Sequence, residues 1–138
     1  MVQLIVGKKG KGKTKQLLDK VNSEIKEITG NIVYLDKSTK HMYELNNKVR
    51  LIDVSQFMIA SSEFTGFVSG IISQDHDLQQ MYFDSFLRIA CLEDQDITET
   101  VDKLENLSKK FDVDFILSVS LDKADLPECL QDKVVISL

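Results

Sequence analysis

The segment from Gly7 to Thr14 has the sequence GKKGKGKT, with three glycines, four lysines and one threonine. Its spacing satisfies G-x-x-x-x-G-K-[ST], in which glycines free the backbone to aim successive N–H groups into one concavity. Phosphate oxygens fit such a concavity, the Lys13 ammonium adds a positive charge, and the Thr14 hydroxyl suits Mg²⁺. The pattern predicts a nucleotide site formed by Gly7, Lys8, Lys9, Gly10, Lys11, Gly12, Lys13, Thr14 and Lys15.

The residues on either side of this segment have the patterns that such a site requires. An apolar run, Val2 to Val6, leads into it and predicts a strand. Apolar residues at helical spacing follow until Gly30, which predicts a helix whose amino end faces the phosphates. The alternative interpretation is a flexible basic tail, which would not have a strand pattern before it and a helix pattern after it. The context therefore favours a strand, a phosphate-binding loop and a helix.

The segment from Val2 to Ile28 resembles the opening of a P-loop NTPase, with its Walker A motif. More loosely, the whole chain is similar to small stand-alone bacterial ATP-binding proteins, distant relatives of the RecA-like and pilus-retraction ATPases. The resemblance implies ATP and Mg²⁺ as ligands. It also implies that Lys13 contacts the β- and γ-phosphates catalytically and that Thr14 binds the metal.

A P-loop nucleotide also needs an acid at the tip of another strand to hold the magnesium. Asp84 ends the run Met81-Tyr82-Phe83-Asp84, which resembles a Walker B strand, and is predicted as a catalytic and metal-binding residue. Asp53, after Leu51-Ile52, is its main rival. Asp36 would be a candidate catalytic base if its strand lay beside the P-loop strand.

Many ATPases of this superfamily place a glutamate directly after the Walker B aspartate to orient the attacking water. Ser85 occupies that position here, and Glu93 and Asp94 lie further along the chain. The substitution predicts slow hydrolysis, activation by a partner, or a nucleotide-dependent switch without hydrolysis. By resemblance to RecA-like ATPases, Ser118 and Ser120 would end a strand beside the P-loop strand and sense the γ-phosphate.

Three further patterns bear on the ligand. The run Asp122-Lys123-Ala124-Asp125 resembles the N-K-x-D guanine-binding motif of GTPases, but aspartate replaces its asparagine, so ATP is favoured over GTP. A small kinase is the last alternative, since the only arginines are Arg50 and Arg88 and a kinase lid is usually arginine-rich. Arg88 is the better placed of the two for an arginine finger. His41 and His76 are predicted to form no metal site, because neighbouring side chains in Asp75-His76-Asp77 diverge.

Strand and helix patterns alternate along the chain. Strands are predicted at 2–6, 31–36, 49–54, 80–84, 113–120 and 134–138, with a helix capped by Ser62 and another opened by a capping box of Asp96 and Glu99. Alternation of this kind implies parallel crossovers and a three-layer α/β/α sandwich around a mostly parallel sheet of five to six strands. The predicted topology is that of a P-loop NTPase (RecA/AAA-like), with the ligand at the carboxyl ends of the strands.

Length and composition limit the remaining possibilities. A chain of 138 residues is expected to form a single nucleotide-binding domain over residues 1–138. The net charge of −5 disfavours nucleic acid as a partner, whereas a protein partner or a second copy fits the switch hypothesis. No membrane-spanning run or basic leader is seen, and the isolated Cys91 and Cys129 are expected to be reduced and buried, so a cytoplasmic location is expected.

Overall fold

The computed structural model describes residues 1–138. Its secondary structure follows the alternation that the sequence predicts. The strands are β1 (Val2–Val6), β2 (Asn31–Asp36), β3 (Arg50–Asp53), β4 (Leu78–Phe83), β5 (Asp114–Val119) and β6 (Val134–Ser137). The helices are α1 (Lys13–Glu27), α2 (Phe64–Ser73), α3 (Phe86–Ile89) and α4 (Thr98–Phe111).

All six strands form one parallel sheet in the order β3-β2-β4-β5-β1-β6. The predicted α/β class and parallel sheet are therefore confirmed. β5 lies directly beside β1, and β4 lies on the far side of β5. Because parallel strands end at the same edge of a sheet, the loops that follow β1, β2, β4 and β5 lie along that edge in the order β2, β4, β5, β1.

Apolar residues cover both faces of the sheet, and alternation along β1 shows how. Leu4 and Val6 pack into a cluster of 25 buried residues that includes side chains of α2 and α4. Ile5 points to the other face and packs into a cluster of 11 buried residues with the apolar side of α1. This burial on both faces holds the ends of the strands in fixed positions at the carboxyl edge of the sheet.

Two predicted helix caps are wrong. A 3-10 turn, Ser61–Glu63, precedes α2, and no side chain caps that helix; Glu63 instead accepts a hydrogen bond from the Ala60 N–H at 2.8 Å. Before α4, the Asp96 carboxylate accepts from the N–H and hydroxyl of Thr98 at 2.9 and 2.7 Å. Glu99 makes an ion pair with Lys103 and completes no capping box. In both places a short turn before the helix provides a side-chain acceptor for a backbone N–H group, and the predicted cap does not form.

The expectation that Cys91 and Cys129 fill apolar space is also wrong, because both are exposed free thiols. Cys91 has a positive φ of 56° in the turn after α3, and Cys129 lies in a 3-10 segment, Glu128–Lys133. Turns of this kind run over the surface, so a small residue there gains no core contact. None of the helices has the length and apolar character needed to cross a bilayer.

Candidate functional site

A cavity of about 870 Å³ opens at the carboxyl edge of the sheet. The loop after β1 and the start of α1 form one wall, with Lys9, Gly10, Gly12, Lys13 and Thr14. The ends of β4 and β5 form the floor with Asp84, Ser85, Ser118 and Ser120. The structure thus brings together residues that the sequence analysis selected from three separate segments.

The loop between β1 and α1 is shaped by left-handed backbone conformations. Gly10 and Gly12 have φ values of 82° and 94°, which only glycine adopts without strain. Gly12 immediately precedes α1, so the loop ends at the amino terminus of that helix. Unpaired N–H groups and the positive end of the helix dipole therefore face the cavity, as an anion site requires.

The predicted phosphate-binding residues divide into two groups. Lys9 and Lys13 line the cavity, whereas Gly7, Lys8, Lys11 and Lys15 do not. The Lys8 ammonium lies 3.4 Å from Asp122, and that of Lys15 lies 3.2 Å from Asp19. The Lys8 carbonyl accepts a hydrogen bond from the Lys13 ammonium at 3.0 Å. The loop thus fixes Lys13 through its backbone.

Lys13 is the buried cation of the site, with 8% of its surface exposed. Burial lowers the pKa of its ammonium, Asp84 acts in the opposite direction, and Lys9 lowers the pKa further. An anion in the cavity would supply the negative charge that this environment lacks.

Asp84 is the centre of a buried hydrogen-bond network, with 2% of its surface exposed. Its Oδ1 accepts from the hydroxyls of Thr14 and Ser118 at 3.1 and 3.2 Å. Its Oδ2 accepts from the Tyr34 hydroxyl at 2.8 Å. Burial and the negative charge of Asp84 raise the pKa of Tyr34, so its phenol stays a donor.

The Thr14 and Asp84 oxygens fit a magnesium ion. Two oxygens at neighbouring corners of a magnesium octahedron, each about 2.1 Å from the ion, lie about 3 Å apart. The hydroxyl of Thr14 and Oδ1 of Asp84 are 3.1 Å apart. Asp53, the rival acid, lies on the edge strand β3, where its carboxylate accepts from Ser55, and it does not line the cavity.

The backbone after β4 turns sharply at Ser85, which has a positive φ of 55°. This turn lets the Ser85 N–H donate to the Ser118 hydroxyl at 2.9 Å, which in turn donates to Asp84. β5, which carries Ser118, lies beside β1, the position that the sequence analysis predicted for it. Ser120 lines the same cavity.

Asp36 occupies a different place from the one considered in the sequence analysis. β2 lies between β3 and β4 and not beside β1, so the condition under which Asp36 would be a candidate catalytic base is not met. Asp36 instead lies next to Asp84, because β2 pairs with β4. Burial and the charge of Asp84 raise the pKa of Asp36 to about 6, although hydrogen bonding by the Lys37 N–H opposes the shift.

The outer rim of the cavity contains charged residues that the motifs do not include. Lys37 and Arg88 contribute positive charge, and Glu93, Asp94 and Gln95 lie among the other lining residues. Glu93 and Asp94, too distant in sequence to be assigned, are therefore the other carboxylates of the cavity besides Asp84. Arg50 is at the opposite edge of the sheet, paired with Asp75 at 3.2 Å.

Two predictions from the sequence, on guanine binding and on the histidines, concern residues outside the cavity. Asp122 precedes a 3-10 turn, Lys123–Asp125, and its carboxylate pairs with Lys8. None of Asp122, Lys123 and Asp125, which carry the resemblance to a guanine-binding motif, lines the cavity. His76 is exposed, whereas His41 lies close to Asp36 and Asp84, with ligand atoms of the three residues within 4.8 Å of one another. That neither histidine binds a metal stays a prediction. Comparison with the known protein families finds no family model that matches this chain, and no curated protein matches it.

Proposed function

We propose that this chain is a magnesium-dependent ATP-binding protein of P-loop NTPase topology, acting in the cytoplasm as a slow or partner-activated ATPase. The observation that carries the proposal is the 3.1 Å contact between Thr14 and Asp84, which are 70 residues apart in the chain. A hydroxyl and a carboxylate brought together beside a glycine-rich loop and a buried lysine are the groups that magnesium and a triphosphate require.

The strand order supports the finer topology. One strand, β5, lies between β1 and β4, and Asp84 directly follows β4. β5 contains Ser118 and is followed by Ser120, and both serines line the cavity, as expected for a RecA-like arrangement with a polar γ-phosphate sensor.

The binding chemistry follows from the chain's own groups. The loop N–H groups and the amino end of α1 would bind phosphate oxygens, and the Lys13 ammonium would exchange the Lys8 carbonyl for a phosphate. Thr14 and Asp84 would hold the magnesium, which supplies positive charge against the β- and γ-phosphates. Ser118 and Tyr34 keep Asp84 oriented through hydrogen bonds.

Hydrolysis is proposed to be slow because no carboxylate follows Asp84. Ser85 occupies that position, and its N–H donates a hydrogen bond to the Ser118 hydroxyl. Glu93 and Asp94 are exposed on the rim, where a water molecule would be poorly fixed. The same observation favours a second candidate, a switch that binds ATP without hydrolysing it and presents an altered surface to a protein partner or a second copy.

Calorimetric titration of the protein with ATP in the presence of magnesium tests the binding step. Lys13→Ala is expected to weaken ATP binding by at least about tenfold, because it removes a charge-assisted contact worth about 1.5–3 kcal/mol. Lys26→Ala, which removes an exposed lysine at the far end of α1, serves as the control and should bind like the parent. Equal affinity of the parent and Lys13→Ala would overturn the proposal.

Phosphate release then separates the two candidates. A slow ATPase should release phosphate above the level of a Thr14→Ala variant, since that variant lacks the hydroxyl assigned to magnesium. A protein that binds ATP but releases no more phosphate than Thr14→Ala is a switch.

A further inference from the structure

A second group of potential ligands lies on the β2 side of Asp84. Asp36, at the end of β2, His41, in the connection after it, and Asp84 each offer a ligand atom, and these atoms all lie within 4.8 Å of one another. The pairing of β2 with β4 creates the proximity, since the Asp84 N–H donates to the Leu35 carbonyl at 2.8 Å. The group is thus built on two central strands.

One oxygen of this group has no partner. Asp36 is 1% exposed, and its Oδ1 accepts from the Lys37 N–H at 2.7 Å. Its Oδ2 is fully buried and accepts no hydrogen bond. A buried carboxylate oxygen without a partner is costly unless a cation or donor satisfies it. The second carboxylate, Asp84, adds to the negative charge at this point.

His41 provides the third ligand, and its partly exposed side chain makes the group accessible from solvent. Its Nδ1 lies 3.2 Å from Oε1 of Glu44, and its side chain is 22% exposed. A proton on Nδ1 would donate to Glu44 and leave the Nε2 lone pair available. A carboxylate behind a histidine is the usual support for a metal-binding imidazole.

We propose that Asp36, His41 and Asp84 form a binding site for a divalent transition-metal ion, with Zn²⁺ and Mn²⁺ as the preferred class. Two carboxylates and one imidazole form a mixed oxygen and nitrogen set, which suits these ions better than Mg²⁺ or Ca²⁺. Ligand atoms around one such ion lie about 3–4 Å apart. Small side-chain rotations would bring the three groups to that spacing.

This site overlaps the nucleotide cavity at one residue. Neither Asp36 nor His41 lines that cavity, and Lys13 donates to a loop carbonyl. Asp84 alone belongs to both. The site does not rest on the proposed function, because three protein ligands would bind the ion without nucleotide.

Titration of the metal-free full-length protein with ZnCl₂ and with MnCl₂, in the absence of nucleotide, tests this assignment. One ion per chain is expected, and His41→Ala and Asp36→Asn should each weaken the affinity by at least about tenfold. His76→Ala removes an exposed histidine and is the matched control, expected to bind like the parent. The visible spectrum of bound Co²⁺ should change in His41→Ala and stay unchanged in His76→Ala, and circular dichroism should verify that each variant is folded.

The outcomes are separable from those of the nucleotide experiment. Lys13→Ala should lose ATP affinity without losing metal affinity, and His41→Ala should lose metal affinity and keep its ATP affinity in magnesium. Unchanged metal affinity in folded His41→Ala and Asp36→Asn, or an equal loss in His76→Ala, would overturn the site.

Discussion

At the scale of single residues, the geometry of the site depends on how Asp84 is held. Three hydroxyls, from Thr14, Ser118 and Tyr34, donate to its two carboxylate oxygens. Two of these donors come from the cavity side, and Tyr34 comes from β2. A buried carboxylate held from two sides keeps one orientation, which is what a metal ligand requires.

Tyr34→Phe tests this network. Removal of the phenol leaves one oxygen of a buried charged group without its donor, so the free energy of unfolding should fall by about 1.5–3 kcal/mol. Urea denaturation measures the change. Tyr43→Phe is the control, because Tyr43 is 92% exposed, and its effect should stay within about 0.5 kcal/mol. Equal stabilities of the two variants would contradict the assigned role of the hydrogen bond.

The sequence identifies some of these residues and not others, for a physical reason. Lys13 and Thr14 belong to a contiguous pattern, and Asp84 ends an apolar strand, so local order is enough to select them. The local sequence predicts Tyr34 only as a core residue of β2 and places His41 in a polar connection. Their roles arise only from the β2–β4 pairing, which no local pattern encodes.

At the scale of elements, the turn between α1 and β2 depends on a glycine. A Cβ at Gly30 would lie 2.2 Å from the Asp77 carbonyl oxygen and 2.8 Å from Cγ of Gln79. The carbonyl belongs to the backbone and cannot move aside easily. This turn sets the start of β2, whose other end carries Asp36.

Gly30→Ala is therefore expected to lower the free energy of unfolding by about 1–3 kcal/mol through overpacking. Gly66→Ala is the matched change within α2, where an added Cβ meets nothing within 4 Å. It should raise the free energy of unfolding by about 0.5–1 kcal/mol, because alanine is the better helix former. Urea midpoints of both variants measure the contrast, and effects of the same sign would contradict it.

Helix α4 is tied to two strands by Glu105. One of its carboxylate oxygens accepts from Lys133 at 2.7 Å, just before β6, and the other accepts from the Val2 N–H of β1 at 3.0 Å. Burial acts to raise the pKa of Glu105, but the hydrogen bond and charge of Lys133 outweigh it, and the pKa is lowered. The glutamate is mostly buried, with 15% of its side chain exposed.

A lowered pKa in the folded state stabilises the protein above the pKa of the unfolded state, and this stability is lost as pH falls through the folded value. Glu105→Gln should therefore reduce the free energy of unfolding at pH 7 by about 1–2 kcal/mol, and the difference should shrink as the pH falls below the ordinary pKa of glutamate and through the lowered pKa of Glu105. Denaturation at several pH values measures it. Glu99→Gln changes an exposed side chain paired with Lys103 and is the control, whose effect at pH 7 should stay within about 0.5 kcal/mol. If it matched Glu105→Gln, the assignment to Glu105 would fail.

At the scale of the whole molecule, the alternation of strands and helices is enough to predict a parallel α/β sheet, because crossovers demand it. The order of strands is not readable in the same way. Nothing in the local sequence of Asn31–Asp36 indicates that β2 pairs with β4 rather than with β1. That one pairing places Asp36 beside Asp84 and away from β1, and so decides which chemistry Asp36 can take part in.

The proposed nucleotide should affect the stability of the whole molecule, because a ligand that binds only the folded state stabilises it by mass action. At a concentration 100 times the Kd, this amounts to about 2.7 kcal/mol, or a rise in Tm of about 10 °C for a domain of this size. Thermal unfolding with ATP, ADP, GTP and GDP, each with and without magnesium, should give the largest rise with ATP and magnesium. Omission of magnesium should reduce the rise, since the ion that we propose Thr14 and Asp84 hold is then missing, and Lys13→Ala should remove most of it. A larger rise with GTP than with ATP would contradict the base preference, and a rise that Lys13→Ala leaves intact would move the binding site away from the loop.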